Sequence, residues 1–290
     1  MQNAITAAFI QQFGDTYIHQ AQQRTSRLLK TVKMDPSITG ESFTKNKLNS
    51  QGLMSEKTTR YADTQWGDAI NSARVAIMRD FYAALPVDKF DLPKLIANPL
   101  TGGDYMMTLL ASRERRIDDI IYQGLLGGAL VRETSLTIQL PAIQKIAAGG
   151  TGLTKAKLIA AKKVFRRNEA DEQAGEELYI VYDAEAMEDI LIDPQLTSSD
   201  YISLGMLQSG TIGTKWSGFT WIPYENVQRV GTTTTLVAYS KSAGTFGIGM
   251  QNANVDARPD KQGATQVSAE GSYGFVRTDE EKVVQIDITV

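Results

Sequence analysis

The 290-residue chain contains no cysteine and a single histidine, His19. The first absence excludes disulfides, thiolate metal sites and cysteine nucleophiles. The second excludes any site built on a histidine cluster. No apolar run approaches the ~18 residues that cross a bilayer, and the first residues lack a basic lead followed by an unbroken apolar stretch, so no membrane contact and no signal peptide are expected. A bias of charge is lacking too: 30 lysines and arginines against 33 aspartates and glutamates leave −3. That is no general pull toward nucleic acid or anionic lipid, so any polyanion contact must be local. What is there is ordinary globular composition, 42% hydrophobic and 22% charged, with room for one large or two modest domains.

The near-neutral total hides a segregation: residues 1–33 carry +3, 34–150 are neutral, 151–230 carry −4 and 231–290 carry −2. Residues 1–30 read as a glutamine-rich helix, with Ile5, Phe9, Phe13 and Tyr17 at i, i+4 spacing and Leu28 and Leu29 near its end. Such a stripe fits a core helix or an arm that docks on another subunit. From Asp35 to Gly67 large aliphatic residues are few, and the alternation of Phe43, Lys45 and Lys47 suggests a two-stranded ribbon, which needs a surface to rest on. The stretch from Ala73 puts Val75, Ile77 and Phe81 on one face and Arg74, Ala76 and Met78 on the other, a returning strand that then turns helical toward Leu85.

Asp104 is a plausible cap for the clearest element. Met106, Leu109, Leu110, Arg113, Ile117, Ile120, Ile121 and Gly124 repeat at three-and-four spacing until Gly127 and Gly128 end the helix. Its other face, with Arg115, Arg116, Asp118 and Asp119, reads as solvated. A strand near Thr134–Leu140 leads to a glycine joint at Gly149, Gly150 and Gly152. A small α/β lobe follows: helix Thr154–Arg167 with Ala156, Ile159, Ala160 and Val164 on one face, strand Leu178–Tyr182, helix Ala184–Leu191 and strand Thr214–Pro223. The end is antiparallel in character, with turns at Arg258–Lys261 and Asp279–Glu281 between strands through Val255–Ala257, Ala264–Val276 and Val283–Ile288. Lobe and closing sheet are expected to be separate.

Chemical motifs fail one by one. The glycine loop Gly149–Lys155 precedes a helix, as a phosphate cradle does, but it has neither dinucleotide nor P-loop spacing and reads as a hinge. Gly244, Gly247 and Gly249 sit among strands. Asp183, Glu185, Glu188, Asp189 and Asp193 lack calcium-loop spacing and read as a solvated acidic face. No catalytic, cofactor-binding or metal residues are expected, and the chain is not expected to be an enzyme.

Several strings carry a resemblance: Thr58–Thr64 (TTRYADT), Ser72–Phe81 (SARVAIMRDF), Arg115–Ile121 (RRIDDII), and ARPDK, ATQV and DEEKVVQIDI between Ala257 and Ile288. Together and in this order they resemble the major capsid proteins of tailed bacteriophages, of the Hong Kong 97 type. The resemblance implies an α+β fold with an N-terminal arm (1–36), an extended β-ribbon loop (37–73), a peripheral domain with the spine helix (74–148) and an antiparallel sheet (232–290), and an α/β axial lobe (149–231). It implies self-assembly into hexamers and pentamers of an icosahedral shell around packaged double-stranded DNA contacted non-specifically, in a virion assembled in the host cytoplasm with a portal. No long charged scaffolding segment precedes the arm, so scaffolding is expected as a separate protein or as a segment already removed. Subunit-interface candidates are Phe9, Phe13 and Tyr17 on the arm, Glu56, Lys57 and Arg60 near the loop tip, and Arg115 and Asp119 on the spine. The alternatives are an encapsulin-like compartment shell and a nucleotide-binding α/β enzyme built on Gly149–Lys155.

Overall fold

The computed structural model describes residues 20–49, 54, 56, 57, 59, 60, 63, 70–90, 103–192 and 215–290. Phe9, Phe13, Tyr17 and His19 lie outside them. The helices are α1 (Asp104–Leu126), α2 (Lys155–Arg167) and α3 (Ala184–Ile192). The strands of the first half are β1 (Lys33–Asp35), β2 (Ser42–Leu48), β3 (Asn71–Ile77), β4 (Arg79–Val87), β5 (Ala129–Val131), β6 (Thr137–Ile138) and β7 (Lys145–Ile146). Those of the second are β8 (Leu178–Tyr182), β9 (Lys215–Trp216), β10 (Phe219–Pro223), β11 (Gln228–Val230), β12 (Thr233–Ser240), β13 (Gly244–Arg258), β14 (Ala264–Arg277) and β15 (Val283–Thr289). The fold is α+β. Internal contacts group Met1–Thr25, Tyr82–Arg115 and Gln251–Glu270 into one unit, and Ser26–Phe81, Arg116–Met250 and Gly271–Val290 into another.

The larger unit is built on a seven-stranded mixed sheet in the order β7-β15-β12-β8-β10-β9, with β11 paired to β12. The closing strands expected to form a sheet of their own instead supply β12 and β15 to its middle, antiparallel from Thr233↔Thr289 to Tyr239↔Val283. The cause is burial on both faces: Leu236, Val237, Ala238 and Tyr239 are all fully buried, a continuous apolar run that only a central strand can use. β8 and β10 are parallel, so the chain between them must cross over, and α3 lies on that path. Leu158, Ala161 and Phe165 of α2 and Ala186 and Ile190 of α3 enter the core, each large side chain contributing about 1.5–3 kcal/mol. The buried stripe of α2 is thus turned from the expected Ala156, Ile159, Ala160 and Val164, and Ile159 is exposed. Ser217 and Gly218, at φ 54 and 79°, make the two-residue left-handed turn that joins β9 to β10.

The second half of α1 packs into the same core through Ile117, Ile121, Tyr122 and Leu125. Asp118, read from sequence as solvated, is fully buried. Its carboxylate accepts from the Ser26 hydroxyl and from the backbone N–H groups of Arg27 (2.9 Å) and Leu28 (3.1 Å). Residues 20–28 are therefore not the end of an α-helix: the chain is irregular there, with one 3-10 turn at Leu29–Thr31. Leu28 and Val32 sit in the core at 0% and 4% exposure. Asp183 is buried as well. It caps α3 by accepting from the Ala186 N–H (3.0 Å) and pairs with Arg229 (3.1 Å).

The segment after Ala73 is strand throughout. β4 occupies an edge of the sheet β1-β13-β14-β4, where Pro86 is tolerated, so the expected turn to helix does not occur. On β3 the buried face is the one with Arg74 and Ala76, while on the other face Ala73 is buried and Ile77 is exposed. In the smaller unit Val87, Met106, Leu109, Val267 and Ala269 form a second apolar cluster. The β13–β14 turn there is a 3-10 turn, Pro259–Lys261, and Arg258 grips Asp260 with two bonds of 2.9 Å.

Ile117→Asp is expected to cost about 3–5 kcal/mol, an unpaired charge in a packed core, and Asp118→Ala about 2–4 kcal/mol, because two backbone amides lose their acceptor. Arg116→Ala, on the exposed side, should cost under ~1 kcal/mol. Urea melts of the three variants check the ranking, and equal losses would mean the helix faces are wrongly assigned. Deleting residues through Thr25 should leave the melt of the free subunit near wild type, whereas deleting through Lys33 should lower it by several kcal/mol by removing Leu28, Val32 and the donors to Asp118. This reverses the simplest arm reading, in which the whole of 1–33 is dispensable to the isolated subunit.

Candidate assembly surfaces

β2 and β3 form an antiparallel ribbon in register from Ser42↔Ile77 to Leu48↔Asn71. At its root Phe43 and Ala76 pack with Val276. Charge holds the ribbon farther along, up to the residue before Leu48. Lys47 pairs with Asp279 (2.7 Å) and lies 3.8 Å from Glu280, and Arg74 pairs with Glu280 (3.1 Å). Arg74 and Glu280 are 5% and 7% exposed, so their attraction is little screened and loss of either strands the other. Glu133 adds a carboxylate that accepts from the Ala73 N–H (3.0 Å). Beside this cluster Arg277, 1% exposed, donates to the carbonyls of Leu125 (2.9 Å), Gly127 and Ile138 (2.9 Å), closing the C-terminal end of α1. Burial lowers the Arg277 pKa, and Arg74 lowers it further against the opposing pull of Glu280.

The other end of the ribbon is different. Leu48 and Ile70 are 66% and 64% exposed and Met54 95%. Glu56, Lys57 and Arg60 are exposed in the same stretch. The structure brings none of these three interface candidates to a partner within the chain among the described residues. Arg115 donates to Gln22 Oε1 (2.7 Å). Asp119 pairs with Arg116 (2.9 Å), whose guanidinium stands 5.3 Å from the Phe81 ring centroid. Arg116, Asp119, Ile120, Gly124 and Phe275 line an open groove of about 410 Å³. Gly124 is required there, because a Cβ would stand 2.2 Å from the Phe275 ring.

The glycine joint resolves the phosphate-loop question in physical terms. Gly149 and Gly150 are left-handed at φ 60 and 69°. Lys157, 7% exposed, donates to the carbonyls of Ala148 (2.7 Å), Thr151 (2.7 Å), Gly152 (3.0 Å) and Asp287 (3.0 Å). The loop thus aims oxygens at an ammonium rather than amides at an anion. Burial lowers the Lys157 pKa, with Asp189 and Asp287 opposing. Asp189 itself accepts from the Leu153 N–H (2.6 Å). Among the described residues no group of three or more carboxylates and histidines could hold a metal ion, and no helix is long and apolar enough to cross a membrane.

Sequence reasoning missed Arg74, Arg277, Glu280 and Lys157, whose partners lie far away in the chain or on the backbone. Glu280→Ala is expected to destabilise the subunit by about 3–5 kcal/mol because Arg74 stays buried without its anion. Lys45→Ala, which breaks a half-exposed pair with Asp35, should cost under ~1 kcal/mol. Denaturant melts of the two variants test this, and similar losses would remove the buried ion pair from the account of the ribbon.

The model of the family described as phage capsid protein matches residues 5–290. No curated protein matches the chain. Among solved structures, one from Mycobacterium phage Ogopogo is similar with a TM-score of 0.68 at 13% identity, covering 100% of both chains. The capsid of a native GTA particle gives 0.69 at 11%, again over 100% of both. A structure from Mycobacterium phage Che8 gives 0.65 at 14%, over 99% of this chain and 98% of that one. At such identities it is the fold that is shared. A family match over nearly the whole length, joined to a fold shared from end to end with phage and GTA capsid structures, leads to one conclusion: the chain belongs to the phage capsid protein family.

Proposed function

We propose that the chain assembles into hexamers and pentamers of an icosahedral shell through its ribbon and N-terminal arm, with no catalytic step, cofactor or metal. The observation that carries this reading is the ribbon. Its paired strands are fixed by apolar contacts and the buried Arg74–Glu280 pair, yet Leu48, Met54 and Ile70 beyond them stand open to solvent. Apolar groups displayed on so thin an element are stabilised when a second copy covers them. In this reading 1–36 is the arm, 37–73 the extended loop, 74–148 with 232–290 the peripheral domain and 149–231 the axial domain. Glu56, Lys57 and Arg60 pair across the boundary, as do Arg115 and Asp119 on the spine. Phe9, Phe13 and Tyr17 dock the arm on a neighbour. A separate scaffolding protein and a portal assist assembly in the host cytoplasm, and double-stranded DNA fills the particle.

Electron microscopy of the purified protein tests the reading: closed shells or capsomers are expected, and a monodisperse monomer under virion-like salt would sink it. Arg60→Glu should reduce assembly, more so at low salt where charges are least screened. An unchanged yield at every ionic strength would make Arg60 a surface charge without a partner. Protein cargo in place of DNA would favour an encapsulin-like compartment. The nucleotide-binding alternative is disfavoured by the carbonyls that ring Lys157, and nucleotide-dependent thermal stabilisation of the subunit would revive it.

A further inference from the structure

We propose that the surface carrying Arg27, Lys30 and Lys33 is the face of the subunit that meets the enclosed double-stranded DNA; the inference rests on the shell reading above. Beyond residue 33 the chain sums to −6, whereas residues 26–33 hold three basic side chains and no carboxylate. A phosphate backbone is repelled on average by the rest of the chain from residue 34 onward and attracted at this strip, and at physiological salt the attraction acts only within about 8 Å.

The strip is built to keep its charges outside. Arg27, Lys30 and Lys33 are exposed, while Leu28, Thr31 and Val32 between them are buried. Thr31 hydrogen-bonds the Leu28 carbonyl and the hydroxyl of the fully buried Tyr239. Asp118 holds the amides of Arg27 and Leu28. The backbone cannot rotate to sink the cations without expelling the apolar residues. Asp118 lies under the segment and accepts from its amides, Asp35 pairs with Lys45, and the exposed Glu225 lies 3.9 Å from Arg229. Arg27 donates one N–H to the Pro223 carbonyl (2.8 Å), which fixes the guanidinium and leaves further donors for phosphate. Cations held in place lose less freedom on meeting a polyanion than free side chains do.

The exposed face of α2, with Lys155, Lys163, Arg166 and Arg167, is a second basic surface among the described residues and supplies the control. It is edged by acids, since Lys162 pairs with Glu172 and Asp171 lies 4.0 Å from Arg166.

The test titrates full-length protein against a short fluorescent DNA duplex over a range of salt. The triple variant R27Q/K30Q/K33Q should flatten the dependence of log K on log salt by about 0.9 for each phosphate that is no longer neutralised. The charge-matched variant K155Q/K163Q/R167Q should leave it unchanged. Equal effects, the reverse order, or no duplex binding by the wild type at low salt would each overturn the proposal. Should the triple variant unfold, K30Q/K33Q serves in its place, with a melt to show that folding is retained. A variant that loses assembly but keeps duplex binding assigns the strip to a protein partner and also overturns it. Wild-type shells that enclose protein instead of DNA remove the underlying reading, whereas DNA-filled shells with an unaltered salt slope in the triple variant remove this proposal alone.

Discussion

The carboxylate of Asp118 is fully buried on α1, and a carboxylate in that position is tolerated only where donors surround it. The donors come from ninety residues earlier: the Ser26 hydroxyl and the amides of Arg27 and Leu28. One cluster of hydrogen bonds therefore joins the N-terminal segment to the spine helix, and with it the two ends of a long-range core. Leu28 and Val32 can enter that core because the backbone between Ser26 and Thr31 is already satisfied, and Tyr239 of the central strand closes the site through Thr31. The segment that begins at Ser26 is thus fixed to the spine helix, and Asp118 supplies the anchor.

The ribbon obeys the same rule with ions in place of amides. Two strands alone are marginal in water, and this pair gains its footing from Phe43 and Ala76 against Val276 and from Lys47 and Arg74 against the turn at Asp279 and Glu280. A buried ion pair is a poor source of net stability but a strict judge of position, because a shift of one residue would leave two charges unpaired. Register in the ribbon is thereby specified, while the bare apolar residues at the other end leave binding energy to be gained from another copy.

Much of this was legible in the sequence where partners are local. The three-and-four spacing from Met106 to Ile121 marked α1, and the turn residues around Pro259 and Glu280 marked the closing strands. The family resemblance carried the α+β class and the capsid family. What was not legible were charged residues that act at a distance. Asp118 sits among Arg115, Arg116 and Asp119 in a string that looks uniformly solvated, and only a partner some ninety positions away makes it interior. Arg277 and Lys157 are hidden for a related reason: their acceptors are backbone carbonyls, which leave no trace in side-chain pattern. The stripe expected on α2 runs through Ala156, Ile159, Ala160 and Val164, whereas the buried residues are Lys157, Leu158, Ala161 and Phe165.

Buried cations that bind carbonyls also bear on what the joint at Gly149 and Gly150 can do. Left-handed glycines permit a sharp change of direction, and by themselves would leave a loose connection. The Lys157 ammonium gathers three carbonyls of the loop and a fourth from Asp287 on the closing strand. Chain reversal and chain fixation are thus supplied by different residues a few positions apart. The joint is set as firmly as the ribbon and the segment at Ser26–Thr31, so three fixed points hold the interior of the subunit, and in the proposed shell adjustment falls to the surfaces between copies.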